Sequence, residues 1–299
     1  MASMDLNFRN LTLEDKKTFD KYLKYIHEPY GSEYCFTNTF IEDVYGDTQI
    51  CETDGMFFVK TKWSGRRVFF PPMLKDPAKL QEAIHLIEQE VSREKVPLEI
   101  LMVGEIQANM LDPNKYKVTD DRALAEYIYL SENLIHLTGK KFHSKRNFIT
   151  RFCKTHPNYT FRGYDEKLDR NNILQLLKKW DVNTTHEKWV EEDKLINRAL
   201  DTHKNLGLKI AVLYVGDNLV AFSVNYVRTA EIAYTLFEKA DTNYIGVYQV
   251  INQRTAKMFF GGTKYINRQC DMNVEGLRKA KLSYNPVMLL PKYKVQHRN

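Results

Sequence analysis

The sequence predicts an α+β chain of two domains, and three observations predict it. Short apolar runs, Met56-Phe-Phe-Val59 and Val68-Phe-Phe70, are set off by the turn dipeptides Asp54-Gly55 and Ser64-Gly65 and read as antiparallel hairpins. Helix, antiparallel strands, helix and strand follow one another in an order that suits an α+β layer. A length of 299 residues exceeds the usual single domain and can bury two substantial cores.

Residues 11–26 open with Thr12 ahead of Glu14 and Asp15 and place Phe19, Leu23 and Ile26 at helical spacing, a capped amphipathic helix. The hairpins of 48–70 end at Pro71-Pro72. Pro77 starts a second helix with Leu80, Ile84, Ile87 and Val91 on one face. After Pro97, 98–103 is a compact buried strand; a short helix and strands at 116–118 and 127–130 complete the first half. The second half begins with a strand at 159–164 and helices over 168–180 and 187–203. Strands follow at 208–215, 219–227 and 231–238, with Gly216-Asp-Asn218 as a tight hairpin. A helix over 246–260 is closed by Gly261-Gly262, and a last strand lies near 264–267. The expected division is a domain at 1–135, a basic connecting helix at 136–157 and a domain at 158–299. No residue-level repeat relates the halves.

Composition is that of a globular protein: 43% hydrophobic, 27% charged, 18 Tyr and 16 Phe. A net charge of +6 permits an anionic partner without requiring one. No stretch approaches the roughly 20 apolar residues of a membrane-spanning helix, and 1–10 lack a signal-peptide core, so the expectation is a soluble, cytoplasmic protein. Cys35, Cys51, Cys153 and Cys270 form no C-x-x-C pair, which argues against a zinc site or disulfide framework and for reduced thiols. No H-E-x-x-H, G-x-S-x-G or G-x-x-x-x-G-K-[ST] is present, so no metal is expected and the commonest hydrolase and phosphate-loop classes are set aside.

The stretch 265–286 carries the most information. On a helix from Asn273, Val274, Leu277, Ala280 and Tyr284 share one face, while Glu275, Arg278 and Lys279 point elsewhere and are not explained by apolar packing. A solvated helix with a Glu275–Arg278 pair is the plain alternative. Asn267-Arg268, Asp271 and 274–284 with Pro286 resemble the closing signature of the phosphatidylglycerol lysyltransferase C-terminal-like family. A second stretch, 139–154, holds six Lys/Arg and no acid, and its Gly139-Lys-Lys and Lys145-Arg-Asn147 are similar to that family's inter-domain motif. A solvated basic helix is again the alternative. The resemblance implies two tandem GNAT-like domains, each a mixed, mostly antiparallel sheet flanked by helices.

In GNAT-type folds the helix after the central strands receives the donor at its N-terminus, where unpaired amides favour an anion. Gly246 occupies that place, with plain capping as the alternative reading. Residues 241–248 hold one Gly, whereas members that bind acetyl-coenzyme A carry a Gly-rich run. The resemblance therefore implies an aminoacyl-tRNA donor ahead of acyl-coenzyme A, with no tightly bound cofactor. Phe142, Ile149 and Phe152 would anchor the basic stretch, leaving Lys141, Lys145 and Arg146 for phosphates. Tyr248 and Lys279 are further donor-side candidates. Asp271 and Glu275 are candidates for general base or amine orientation, and Arg278 for stabilising charge. Glu238, Lys239, Gln249, Asn252, Asn267 and Arg268 would shape the acyl pocket; for Glu238 and Lys239 a surface pair is the alternative.

The preferred reading is an aminoacyl-tRNA-dependent transferase acting on an amine or hydroxyl. The family's lipid-modifying members carry a multi-span membrane domain that this sequence lacks, which opens soluble acceptors or peripheral contact with anionic lipid. An acyl-coenzyme-A-dependent N-acyltransferase and a non-catalytic RNA-binding or regulatory module are the competing readings.

Overall fold

The computed structural model describes residues 6–27, 29–182 and 192–298. After β1 (Arg9–Asn10), a 3-10 turn at Leu13–Asp15 runs into α1 (Lys16–Leu23). Asp15 fixes this start by accepting the Thr12 N–H at 2.8 Å and its hydroxyl at 3.0 Å. Then come α2 (Phe36–Glu42), β2 (Gln49–Thr53), β3 (Met56–Trp63) and β4 (Arg66–Phe69). Asp54 and Gly55, and likewise Ser64 and Gly65, have φ of 42°, 77°, 49° and 76°, the left-handed pairs that a tight hairpin of this twist requires. β5 (Met73–Leu74) returns to β3, and α3 (Leu80–Glu94) buries Leu80, Ile84, Ile87 and Val91 as their spacing predicts. β6 (Ile100–Val103), α4 (Glu105–Asn109) and β7 (Tyr116–Asp120) follow.

Next are β8 (Glu126–Leu130), α5 (Ser131–His136), α6 (His143–Thr155), β9 (Thr160–Gly163), α7 (Glu166–Val182) and α8 (Glu192–Leu206). The helix start expected at 187 lies outside the described residues. β10 (Lys209–Val215), β11 (Asn218–Val227) and β12 (Ile232–Ala240) form an antiparallel meander. The chain closes with α9 (Val247–Phe259), β13 (Tyr265–Asn267), α10 (Glu275–Leu282), β14 (Met288–Leu290) and β15 (Tyr293–His297).

The residues form two compact units. The first comprises Met1–Glu126, Cys270–Val274 and Leu289–Asn299. Its sheet runs β1-β2-β3-β4-β6-β15-β7, with β5 beside β3. β4 and β6 are parallel, and β15 is antiparallel to both neighbours. Phe58, Phe69, Ile84, Ile87, Ile100 and Val295 meet in its core. The second unit comprises Tyr127–Gln269 and Glu275–Met288. Its sheet runs β14-β8-β13-β12-β11-β10-β9, with β12 and β13 parallel. Tyr127, Tyr129, Phe152, Val250, Ile251 and Ile266 belong to its core.

Both sheets are mixed, mostly antiparallel and flanked by helices, the α+β architecture expected. The bounds of the units are other than the division at 135 and 157. β8 and α6 pack within the second unit, because Tyr127, Tyr129, Phe142, Ile149 and Phe152 bury their side chains in its core. β15 enters the first unit because Val295, 0% exposed, completes the apolar face of that sheet.

Candidate active site

The turn before α10 departs from the expected helix. Gln269, Met272 and Asn273 have φ of 57°, 48° and 62°, so the helix cannot begin at Asn273 and starts at Glu275. Its buried residue is Lys281, while Ala280, expected on the packed face, is exposed. The Lys281 ammonium donates to the carbonyls of Arg268 at 2.5 Å and Gln269 at 3.1 Å and lies 5.7 Å from the Tyr127 ring. A lysine stem supplies the apolar contact, and its head adds a charged donor to the Arg268 carbonyl and to the Gln269 carbonyl, which also accepts the Tyr127 N–H at 3.2 Å.

Tyr284 follows one turn later. Its ring centre lies 4.3 Å from the Lys145 ammonium and 5.1 Å from the Arg268 guanidinium. Lys145 Nζ donates to Ser283 Oγ at 2.5 Å, and that hydroxyl donates to the Ala280 carbonyl at 2.5 Å. Burial, and then the Arg268 charge, holds the Lys145 ammonium below its ordinary range. Arg268 Nη2 donates to Glu238 Oε1 at 2.9 Å, and Asn252 Nδ2 donates to Glu238 Oε2 at 3.3 Å. Asn252 Oδ1 is buried without a hydrogen-bond partner among the described residues. The Tyr129 ring lies 5.8 Å from Arg268, and its hydroxyl donates to the Lys281 carbonyl at 2.8 Å. Burial first raises the Tyr129 and Tyr284 phenols well above the ordinary range, so both stay neutral. The cluster thus offers a depressed amine, a guanidinium with one carboxylate, and an unanswered acceptor.

Of the residues predicted from sequence, Lys145, Glu238, Asn252 and Arg268 are brought together. Lys239 is not: successive strand residues face opposite sides, and its ammonium pairs with Glu192 at 2.7 Å. Asn267 is fully buried and accepts the Gln269 N–H at 2.6 Å, shaping the turn. Tyr248 and Gln249 are half-buried on the first turn of α9. Gly246 caps that helix with φ of 91°, and a Cβ there would stand 2.3 Å from the Phe148 carbonyl oxygen. α6 thus packs against Gly246 on the side that a Cβ would occupy.

Asp271 belongs to the first unit, where its fully buried carboxylate accepts from Arg122 at 3.0 Å and from the Asn273 N–H at 2.9 Å. Glu275 and Lys279 are exposed and pair with each other at 2.6 Å. Arg278 is half-buried on α10. Of the basic stretch, Lys141 is exposed, Lys145 is buried in the cluster, and Arg146 donates to the Leu137 and Gly139 carbonyls, the latter at 2.8 Å. Sequence reasoning missed Tyr129, Lys281 and Ser283, and read Tyr284 only as part of an apolar face. A lysine spaced among Leu277 and Tyr284 was the available signal for Lys281.

A family model described as phosphatidylglycerol lysyltransferase, C-terminal, matches residues 25–296. The chain belongs to this family. A conserved protein of unknown function from Bacteroides thetaiotaomicron is 30% identical, with 98% of this chain and 100% of that one covered at a TM-score of 0.87. L-PGS from Bacillus licheniformis shares the fold at 16% identity, 95% and 92% coverage and a TM-score of 0.66. A tandem GNAT protein from the clavulanic acid biosynthesis pathway does so at 8% identity, 97% and 98% coverage and a TM-score of 0.54. The lysyltransferase-like chain thus shares its fold with a tandem GNAT protein. Among its described residues no helix is long and apolar enough to cross a membrane.

Proposed function

We propose that the chain moves an aminoacyl group from the ester of an aminoacyl-tRNA to an amine or hydroxyl acceptor, using the second-unit cluster. The observation that carries this reading is Asn252 Oδ1, buried without a partner while its own amide holds Glu238. A dry acceptor costs about 1–3 kcal/mol and calls for a donor. The α-ammonium of an aminoacyl group supplies one, with Glu238 as counter-charge. Arg268 then faces the oxyanion that develops on the ester carbonyl. Lys145, whose lowered affinity for a proton makes its free amine accessible, takes the proton of the attacking group. The new bond forms between acceptor and carbonyl carbon, the ester bond to the ribose breaks, and Lys145 returns the proton to the departing ribose oxygen. Lys140, Lys141, Arg151 and Lys154, exposed on one acid-free segment, suit the tRNA phosphates.

The packing of Phe148 against Gly246 argues against a coenzyme A pyrophosphate on the α9 N-terminus. The test supplies charged tRNAs or acetyl-coenzyme A as donor, and phosphatidylglycerol vesicles or soluble amines as acceptor, to the full chain and to Asn252→Leu. Transfer from tRNA that Asn252→Leu abolishes is the expected result. Transfer only from the thioester establishes the coenzyme A alternative. Salt-dependent tRNA binding with no product for any acceptor establishes a non-catalytic RNA-binding module.

A further inference from the structure

One arc of α6 stands in solvent. At 3.6 residues per turn, Lys154, Asn147, Arg151, Ser144, Thr155 and Phe148 follow one another around about a third of the helix, and all six are exposed. Phe148 is 41% exposed, whereas Ile149 and Phe152 are buried in the core of the second unit. No ring of the described residues stacks on Phe148, so an aromatic face is open to solvent. Its backbone packs on Gly246, and the residue before that glycine, Ile245, is 45% exposed. Cations elsewhere in this unit find carboxylates: Lys204 pairs with Glu166 at 2.8 Å, Arg170 with Asp201 at 2.7 Å and Lys264 with Glu231 at 3.6 Å. Lys140, Lys141, Arg151 and Lys154, all exposed, form no ion pair among the described residues.

An open ring among unpaired cations matches the chemistry of a nucleotide strand, in which each base offers a π face and each linkage a negative charge. Ser144, Asn147 and Thr155 on the same arc add hydrogen-bonding groups for sugars and base edges. Phe148 and Ile245 alone are too little apolar surface to seat α6 in a lipid layer. We propose that this face binds unpaired nucleotides of an RNA strand, one base stacked on Phe148 and the flanking phosphates met by Lys141, Arg151 and Lys154. The inference rests on the transfer reading above for its choice of RNA. An aminoacyl-tRNA carries its ester on an unpaired end, and Lys145 lies three residues before Phe148, about 4.5 Å along the helix axis.

Fluorescence anisotropy follows the full chain binding a labelled single-stranded RNA of about eight nucleotides, the length of one small strand site, and the same RNA annealed to its complement. Sedimentation follows its binding to phosphatidylglycerol vesicles. Saturable, salt-dependent binding of the single strand, roughly ten-fold tighter than of the duplex, is expected. Phe148→Ala weakens the single strand roughly ten-fold and the duplex hardly at all, while Phe148→Trp retains full binding, since any aromatic face stacks. Arg151→Gln together with Lys154→Gln weakens both RNAs and flattens the salt dependence. Equal binding of the duplex, indifference to Phe148→Ala, or capture by vesicles without RNA binding overturns the assignment. The two readings fail separately. RNA binding of this pattern with no aminoacyl product leaves the face standing and removes the transfer, whereas transfer from tRNA at undiminished kcat/KM in Phe148→Ala removes the face alone.

Discussion

The Lys145 ammonium sits 4.3 Å from the centre of the Tyr284 ring, on which the Arg268 guanidinium also rests. The ring's π face attracts each cation, while burial and their mutual repulsion oppose keeping Lys145 charged. Lys145→Met should therefore leave the urea midpoint unchanged or raise it, while lowering transfer about 10²-fold or more. A fall in both together would make Lys145 structural.

Burial and Arg268 hold the Lys145 ammonium below the ordinary lysine range. Between that lowered value and the unfolded value near ~10.4, the unfolded chain carries a proton that the folded chain lacks, so stability rises with pH across that window. Below the window both states are protonated and the cost of the buried charge is fully present. Urea unfolding of the wild type against pH should show this rise, and Lys145→Met should flatten it.

Gly246→Ala should destabilise the second unit by about 2 kcal/mol or more, since the methyl would enter the Phe148 carbonyl and φ of 91° disfavours any side chain. Equilibrium unfolding measures it. Unchanged stability with lost tRNA binding would return Gly246 to a donor-contact role.

Asp271→Ala should cost about 1–3 kcal/mol, because the buried carboxylate holds both Arg122 and the Asn273 amide; Arg122, 37% exposed, can turn to water and keeps the loss below that of a fully buried pair. Glu275→Ala should stay within about 0.5 kcal/mol, because Glu275 is exposed and its pairing with Lys279 is a surface one. Parallel denaturation and transfer assays separate the two. Lost transfer at intact stability would make either carboxylate catalytic.

Lys281→Met should keep the apolar stem and leave the Arg268 and Gln269 carbonyls without their ammonium, costing about 1–3 kcal/mol. Because Arg268 is held through its backbone, turnover should fall more than substrate affinity. Loss confined to affinity would place Lys281 at a binding surface instead.

Much of the fold was legible because local rules acted alone. Asp54-Gly55 and Ser64-Gly65 dictated their hairpins, and the spacing of Leu80, Ile84, Ile87 and Val91 dictated α3. Long-range pairing was not legible: nothing within 293–297 tells which strands Val295 will join. At the site, Glu238, Asn252 and Arg268 were found as a group. Lys239 was carried along by adjacency in sequence, although the strand pleat separates neighbours. Lys281 and Lys145 escaped correct placement because a buried lysine has the same letter as an exposed one, and only tertiary partners distinguish them.

The position of β15 between β6 and β7 bears on how the protein is made. A ribosome releases 6–126 long before 293–297, so the nascent first unit waits with two open strand flanks while the intervening chain is synthesised. Cutting the gene after 126 would yield a fragment prone to self-association, and supplying a peptide spanning 289–298 in trans should restore it.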